Sequence, residues 1–321
     1  MPDADLPAVL VCRRLLPAGR DLLLTRCQIR EGGLDATPQE LVELAPGVAA
    51  IVADPTVPVG EALLEAAGEG LRVIANYAVG YDNIDLEACR TRDIAVTNTP
   101  GVLTNATAEL ALALTLAAAR RITEAETELR DGRWRGWDPG DRLGLELSGA
   151  TIGVVGMGRI GRRYAELVAP MAGAILYVSR SGKPDAEIEL GATKVPMDEL
   201  LARSDVVSLH VPASPETSGL IASAELRAMN PHAILINTAR GSLVDTEALA
   251  SALHDRVIGA AGLDVYEYEP DVPPSLLDAP RCVLLPHIGS ATTRARDAMA
   301  VLVAEDVLAV LDGAEPANRV V

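Results

Sequence analysis

The stretch TIGVVGMGRIG, residues 151–161, decides the fold of this chain of 321 residues. It opens with Thr151–Val155, an apolar run of strand length without a charged side chain. Gly156, Gly158 and Gly161 follow at the spacing GxGxxG. The first glycine allows a tight turn, the second lets a pyrophosphate approach the backbone, and the third lets the next helix pack closely. The motif therefore predicts a dinucleotide site at the start of a βα unit.

Strand-like apolar runs alternate with helical stretches on both sides of this motif. Six runs are predicted to be the strands of one domain: 151–155, 175–178, 206–210, 233–237, 259–263 and 282–285. Four earlier runs form a second series: 8–12, 48–53, 71–75 and 94–97. The alternation predicts an α/β fold with parallel sheets covered by helices on both faces. Six strands with a switch point are typical of a dinucleotide-binding domain.

Two long segments complete this organisation. Residues 104 to about 130 are predicted to be helical, and a loop rich in Gly, Trp and Asp follows over residues 132–144. Residues 292–311 are predicted to form an amphipathic helix. This last helix has no strand partner in the series that begins at residue 151, so we expect it to return and complete the domain of the four earlier runs.

Composition excludes several classes of function. The net charge of −17 argues against nucleic acid or an anionic membrane as a partner, since both require a positive surface. The four cysteines lack metal-ligand spacing, so we expect reduced thiols and no metal site. The N-terminus lacks a basic segment typical of a signal peptide, and the longest apolar run, residues 110–119, is too short to cross a bilayer. These features favour a cytoplasmic protein.

The residues after the second strand of the motif domain bear on cofactor choice. An NAD site normally has Asp or Glu at this point, to hold the ribose hydroxyls. This chain has Ser179, Arg180 and Ser181 there, with Lys183 nearby. Hydroxyl and cationic groups suit a 2′-phosphate, which favours NADP(H). NAD(H) stays possible, because an arginine can also stack on adenine without distinguishing the two cofactors.

Three charged or titratable side chains follow the later strands. Arg240 follows the strand at 233–237, Glu269 comes shortly after the next, and His287 follows the last. Ligands of open α/β sheets bind outside the carboxyl ends of the strands, so these groups can converge. A protonated histidine can give a proton to a keto oxygen, a carboxylate can orient that histidine, and a guanidinium can bind a carboxylate and polarise a carbonyl. Each residue alone could be a solvated or packed side chain, but together they favour reduction of a keto acid.

The chain resembles the D-isomer-specific 2-hydroxyacid dehydrogenases along essentially its whole length, and within them most closely the glyoxylate/hydroxypyruvate reductase branch. The matching segments are AVGYDNIDLEA (78–88), VTNTPGVLTNATAELALALTLAAARR (96–121), GMGRIG (156–161), INTARGSLVD (236–245), AGLDVYEYEP (261–270) and LPHIGSATTRARDAMA (285–300).

The resemblance implies a Rossmann nucleotide-binding domain, residues 99–288, inserted into a flavodoxin-like substrate domain, residues 1–98 and 289–321. It implies that Arg240, Glu269 and His287 are catalytic, with His287 the proton donor. Substrate would bind to the backbone amides of Val79 and Gly80 and to Arg240 and His287. The resemblance also implies a homodimer, in which the segment of Trp134 and Trp137 lies near the partner.

The expected cofactor contacts include the loop after the first strand, the segment after the second, and residues near the later strand ends. They are Thr107, Gly156, Met157, Gly158, Arg159, Ile160, Gly161, Ser179, Arg180, Ser181, Val211, Pro212, Thr217, Thr238, Ala239, Arg240, Asp264, His287 and Gly289.

Two alternatives stay open at this point. One is a dehydrogenase for another 2-hydroxy acid, such as phosphoglycerate or a longer acid. The other is a corepressor-like scaffold that senses a dinucleotide with the same fold, and such a protein need not keep the three catalytic groups.

Overall fold

Two parallel β-sheets organise the structure of the protein, a computed structural model that describes residues 6–321. The chain divides into one unit of residues up to 103 with 290–321, and a second unit of residues 104–289. These junctions lie one to five residues from the predicted domain boundaries, which stay a prediction. Both units have the α/β architecture that the alternation predicts.

The first unit contains a five-stranded sheet of order β2-β1-β3-β4-β5, in which all strand pairs are parallel. Its strands are β1 (Ala8–Val11), β2 (Gln28–Glu31), β3 (Ala50–Ala53), β4 (Val73–Asn76) and β5 (Ala95–Thr97). Its first four helices are α1 (Pro17–Leu24), α2 (Pro38–Leu44), α3 (Glu61–Ala67) and α4 (Leu86–Thr91). This strand order is that of flavodoxin-like sheets. The sequence prediction missed β2, because its residues QIRE form no apolar run and lie at the sheet edge.

Alternating side chains of this sheet enter two separate cores. In β1, Leu10 belongs to one core cluster, whereas Val9 and Val11 belong to the other. The predicted last helix is present as α13 (Thr293–Leu311), which packs on α1 and β4 within this unit. The segment after it pairs with β5 through an antiparallel bridge between Thr97 and Arg319.

The second unit contains a seven-stranded parallel sheet of order β12-β11-β10-β9-β6-β7-β8. Its strands are β6 (Thr151–Val155), β7 (Ala174–Val178), β8 (Thr193–Lys194), β9 (Val206–Leu209), β10 (Ile234–Asn237), β11 (Ala260–Leu263) and β12 (Cys282–Leu284). Its helices are α5 (Thr104–Ala119), α6 (Ile122–Arg130), α7 (Arg159–Val168), α8 (Pro184–Leu190), α9 (Met197–Arg203), α10 (Ser223–Ala228), α11 (Thr246–His254) and α12 (Pro274–Leu277).

The strand order identifies this unit as a Rossmann fold. The order reverses between β6 and β9, and dinucleotides bind at such a switch point. Six of its strands were predicted, with ends that coincide or differ by one residue. The seventh, β8, has only two exposed residues and gives no apolar signal.

The predicted helical segment 104–130 is corrected by the structure, which contains two helices there. Arg121 adopts a left-handed conformation, with φ of 52°, and separates α5 from α6. The two helices also differ in environment: α5 buries much of its surface, whereas α6 has no buried residue. No helix within residues 6–321 is long and apolar enough to cross a membrane.

We predict that Gly19→Ala destabilises the protein, although alanine is the better helix former by about 1 kcal/mol. A Cβ atom at Gly19 in α1 would lie 2.1 Å from the carbonyl oxygen of Ala300 in α13, so the two helices must separate. Overpacking of this kind costs about 1–3 kcal/mol. Denaturant unfolding measures the difference, and Gly70→Ala is the control because its Cβ would meet no atom within 4 Å. An unchanged or raised stability of Gly19→Ala would contradict the close packing.

Candidate active site

The glycine-rich loop connects β6 to α7 and requires glycine for two physical reasons. Gly156 has φ of +98°, and a Cβ there would lie 2.7 Å from the carbonyl oxygen of His210. A Cβ at Gly161 would lie 2.0 Å from the carbonyl oxygen of Gly156. Gly158, at the N-cap of α7, instead faces open space, with no atom within 4 Å of its would-be Cβ.

This loop fits the pyrophosphate of a dinucleotide. The N-terminus of α7 has no side-chain cap and no acidic residue in its first turn, so its amide groups can donate to an anion. The open space at Gly158 lets such an anion approach the backbone. Among the predicted contacts of the loop, Met157 is buried, whereas Arg159 is exposed.

His210 packs against this loop and is partly buried. Its ring lies 5.1 Å from the ring of Tyr164, and its Nε2 atom lies 2.9 Å from the hydroxyl of Ser208. Burial lowers the pKa of His210 to about 3, so the ring is neutral at physiological pH. This neutral histidine is a packing partner of the glycine-rich loop.

The segment after β7 has the composition expected for contacts with a phosphate. The Ser179 hydroxyl donates to the carbonyl oxygen of Ser181 at 2.5 Å, and Arg180 is exposed. The structure adds Glu187, which the sequence prediction missed because this residue lies further along, in α8. Its Oε1 atom would lie 3.8 Å from a Cβ atom at Gly182.

Glu269 and His287 form the central pair of the candidate active site. His287 Nδ1 lies 2.6 Å from Glu269 Oε2, and both side chains are partly buried. Burial would raise the pKa of Glu269, but the hydrogen bond and charge of His287, the amide of Tyr266 and the charge of Arg240 together lower it. An ionised Glu269 only accepts, so His287 carries a proton on Nδ1 and presents Nε2 to a ligand.

Arg240 lies three residues beyond the end of β10 and is fixed through its backbone. The Asn237 side chain donates to the Arg240 carbonyl at 2.7 Å and accepts from the Ala239 amide at 3.0 Å. The Arg240 side chain is partly buried, and its Nη1 atom donates to the Ala239 carbonyl. Because Arg240 lowers the pKa of Glu269, its charge acts on the same group as His287 does.

Asp264 orders the segment that carries His287. Its two carboxylate oxygens accept from the amides of Ile288 and Gly289, each at 2.7 Å, and its carbonyl accepts from the His287 amide. Burial raises the pKa of Asp264, although these amides and the charge of His287 act in the opposite direction. The cofactor contact predicted for Asp264 stays a prediction, and the structure shows that its two carboxylate oxygens hold the backbone just after His287.

The other predicted cofactor contacts lie near the carboxyl ends of the strands. The Thr107 hydroxyl donates to the Gly289 carbonyl at 3.2 Å, and the Thr217 hydroxyl donates to the Pro212 carbonyl at 2.8 Å. The buried Thr238 hydroxyl has no hydrogen-bond partner within the described chain. Such an unpaired buried hydroxyl indicates a place for a ligand atom.

Val79 and Gly80 lie in the first unit, after β4, and residues 98 and 99, just beyond β5, hold their peptide groups. The Ala78 carbonyl accepts from the Thr99 amide at 2.8 Å, and the Val79 carbonyl accepts from the Asn98 side chain at 2.7 Å. A trans peptide directs its N–H opposite to its C=O, so the amides of Val79 and Gly80 both point away from β5. Two such parallel donors suit a carboxylate.

Within residues 6–321, no group of three or more His, Cys, Asp or Glu side chains is placed to hold a metal ion.

The chain is similar to known proteins over most of its length. A family model, the NAD-binding domain of D-isomer specific 2-hydroxyacid dehydrogenases, matches residues 112–289. A glyoxylate reductase of Thermococcus litoralis is 50% identical over 284 residues, which cover 87% of this chain and 86% of the relative. A second, from Pyrococcus furiosus, is 44% identical and covers 98% of this chain and 95% of the relative.

Solved structures show the same likeness over the whole chain. A Thermus thermophilus protein has a TM-score of 0.91 at 45% identity and covers 98% of this chain and 100% of its own. An NADPH-dependent glyoxylate/hydroxypyruvate reductase of Sinorhizobium meliloti, in complex with NADP and malonate, has a TM-score of 0.88 at 33% identity, with coverage of 98% and 97%. The chain therefore belongs to the family of D-isomer specific 2-hydroxyacid dehydrogenases.

Proposed function

We propose that this protein is an NADPH-dependent reductase that converts a small 2-keto acid, glyoxylate or hydroxypyruvate, to the D-2-hydroxy acid. The observation that carries the proposal is the 2.6 Å hydrogen bond between His287 and Glu269, formed at the strand ends of a Rossmann unit. The names of relatives support the substrate class, since those of Thermococcus litoralis and Pyrococcus furiosus are glyoxylate reductases.

His287 is the proton donor of this reaction. A bound nicotinamide cofactor would supply the hydride, and the keto oxygen gains negative charge as the hydride adds. Glu269 holds the Nδ1 atom of His287, so that the protonated ring directs Nε2–H to that oxygen. The ionised carboxylate also stabilises the imidazolium form before transfer.

Arg240 binds the keto acid and stabilises the charge that develops. A guanidinium donates to a carboxylate or a carbonyl oxygen through a planar fork. The Asn237 bonds to residues 239 and 240 fix the backbone from which this side chain extends. Such a fixed donor acts without reorganisation in the transition state.

The amides of Val79 and Gly80 hold the substrate carboxylate. Their peptide groups are anchored on the opposite side by Thr99 and Asn98, which supports two donors in a fixed orientation. Backbone donors suit an anionic substrate in a protein whose net charge is −17, because they need no positive surface.

NADPH is the preferred cofactor, and NADH is used less well. Arg180 is the exposed cation of the segment after β7, and no acidic residue stands among residues 179–183. The relative from Sinorhizobium meliloti, which is NADPH-dependent and contains NADP, supports this assignment.

The proposed assembly is a homodimer in the cytoplasm. α6 and the loop after it leave large apolar side chains exposed, with Trp137 at 84% and Leu129 at 60%. Exposed apolar surface of this kind favours association, and a second copy of the chain is the proposed partner. The four cysteines are free, which suits a reducing compartment.

We expect His287→Ala to lower the turnover number for glyoxylate reduction by about 10²- to 10⁴-fold, because the proton donor is lost. The steady-state oxidation of NADPH, followed by absorbance, measures this change. His254→Ala, which alters an exposed histidine of α11, is the matched control and keeps normal turnover. Near-normal turnover of His287→Ala would overturn the role of His287 as proton donor. The substrate assignment would be overturned if the wild type reduced longer 2-keto acids but neither glyoxylate nor hydroxypyruvate.

Glu269→Gln should change the pH profile of the reduction. In the wild type, the hydrogen bond and charge of His287 help to lower the pKa of Glu269, so the ionised carboxylate and a charged His287 favour each other. The variant lacks that carboxylate charge, and because reduction needs the proton of His287, the fall of the rate with rising pH is expected to move to lower pH. Rates over pH 5–9 at saturating cofactor test this, with Glu267→Gln, an exposed neighbour, as the control. A profile that matches the wild type would show that Glu269 does not support the charged form.

Arg180→Asp is expected to reverse the cofactor preference, and Arg180→Ala to reduce it about tenfold. A charge-assisted hydrogen bond to the 2′-phosphate would be lost, and an aspartate would repel that phosphate. The Michaelis constants for NADPH and NADH, compared at low and moderate salt, measure the preference, which salt should weaken at an exposed site. A wild type that prefers NADH, or variants with unchanged selectivity, would show that Arg180 does not bind the phosphate.

A further inference from the structure

Hydrogen bonds of the Tyr177 hydroxyl connect the two ends of the segment that carries Arg180. Tyr177 is the fourth residue of β7 and is fully buried. Its phenol oxygen accepts from the backbone amide of Lys183 at 2.8 Å and donates to Oε1 of Glu187 at 2.5 Å. One hydroxyl group therefore connects the end of β7 to the start of α8, across residues 179–183.

Two further hydrogen bonds fix the conformation of this segment. Inside it, the Ser179 hydroxyl donates to the Ser181 carbonyl. At its beginning, the Val178 carbonyl accepts from the amide of Gly156, in the glycine-rich loop, at 2.9 Å. The position of the segment is thus linked to the place where the cofactor pyrophosphate would bind.

We propose that Tyr177 is a positioning residue for cofactor selection, which holds residues 179–183 in the conformation that binds a 2′-phosphorylated adenosine. The proposal rests on the proposed function, in which Arg180 binds that phosphate. Arg180 itself is exposed, and an exposed loop has to be ordered before its side chain can bind. The buried hydroxyl orders the loop in advance, so less affinity is lost on binding.

The same hydroxyl controls a negative charge beside the segment. The Oε1 atom of Glu187 would lie 3.8 Å from a Cβ at Gly182, so this carboxylate adjoins the proposed phosphate site. The hydrogen bond from the Tyr177 hydroxyl keeps this carboxylate turned toward Tyr177 and offsets part of its negative charge. Without this donor, the carboxylate can turn toward the segment and repel a 2′-phosphate.

The experiment is Tyr177→Phe, which removes one oxygen atom and keeps the ring. Two binding measurements on the whole protein are informative, with adenosine 2′,5′-bisphosphate and adenosine 5′-monophosphate as probes in isothermal titration calorimetry. The dissociation constant for the bisphosphate is expected to rise about 3- to 10-fold, the range for one lost hydrogen bond. The constant for the monophosphate and the turnover number at saturating NADPH should change less than about twofold.

Tyr164→Phe is the matched control. Tyr164 is also fully buried in this unit, and its hydroxyl lies 2.9 Å from that of Thr115, away from residues 179–183. We expect this variant to bind the two probes with an unchanged ratio of dissociation constants, whatever its melting temperature. An equal weakening of both probes in Tyr177→Phe, as a merely structural role would give, overturns the proposal.

A second variant, Glu187→Gln, keeps an acceptor for the phenol and removes the charge. Its selectivity for the bisphosphate should equal or exceed that of the wild type, and a lower selectivity would contradict the proposed role of the carboxylate. If Arg180→Ala lowers selectivity and Tyr177→Phe does not, only the positioning role fails. If Tyr177→Phe lowers selectivity and Arg180→Ala does not, the segment binds the phosphate through another group and the assignment of Arg180 fails.

Discussion

The parallel direction of the strands in the seven-stranded sheet is the constraint on which the site depends. The carboxyl ends of parallel strands all lie on the same side of the sheet, so residues distant in sequence are brought together there without any need for a long loop. The glycine-rich loop follows β6, Arg240 follows β10, and His287 follows β12. The proposed catalytic and cofactor-binding groups can therefore be separated by more than a hundred residues of sequence and still lie at the same ends of the strands.

Precise geometry at this edge comes from carboxylates and amides that hold the backbone. Asp264 accepts from two consecutive amides after His287, and Glu269 accepts from both the imidazole and the Tyr266 amide. Buried carboxylates are costly unless such donors surround them. His287, the proposed proton donor, is thus oriented through its side chain by one carboxylate and through its backbone by another.

The sequence predicted those parts of the molecule that a pattern of neighbouring residues identifies. Long apolar runs marked the central strands, and the GxGxxG spacing marked the loop after β6. The edge strands β2 and β8 were missed because polar or very short strands resemble loops in sequence. The break between α5 and α6 at Arg121 was missed because no Gly or Pro stands there to indicate a helix end. Glu187 and the backbone role of Asp264 depend on tertiary contacts, which no spacing rule reveals.

The pairing of the last residues with β5 has a consequence for the behaviour of the five-stranded sheet. An uncovered strand is a template on which another chain can extend the sheet and start aggregation. Here Val96 exchanges backbone hydrogen bonds with Val320 and Val321, so this edge is already occupied. The opposite edge, β2, carries Arg30 and Glu31, and charged side chains discourage such extension. One side of the sheet is thus protected because β5 is already paired and the other because β2 is charged, and both features disfavour intermolecular strand addition.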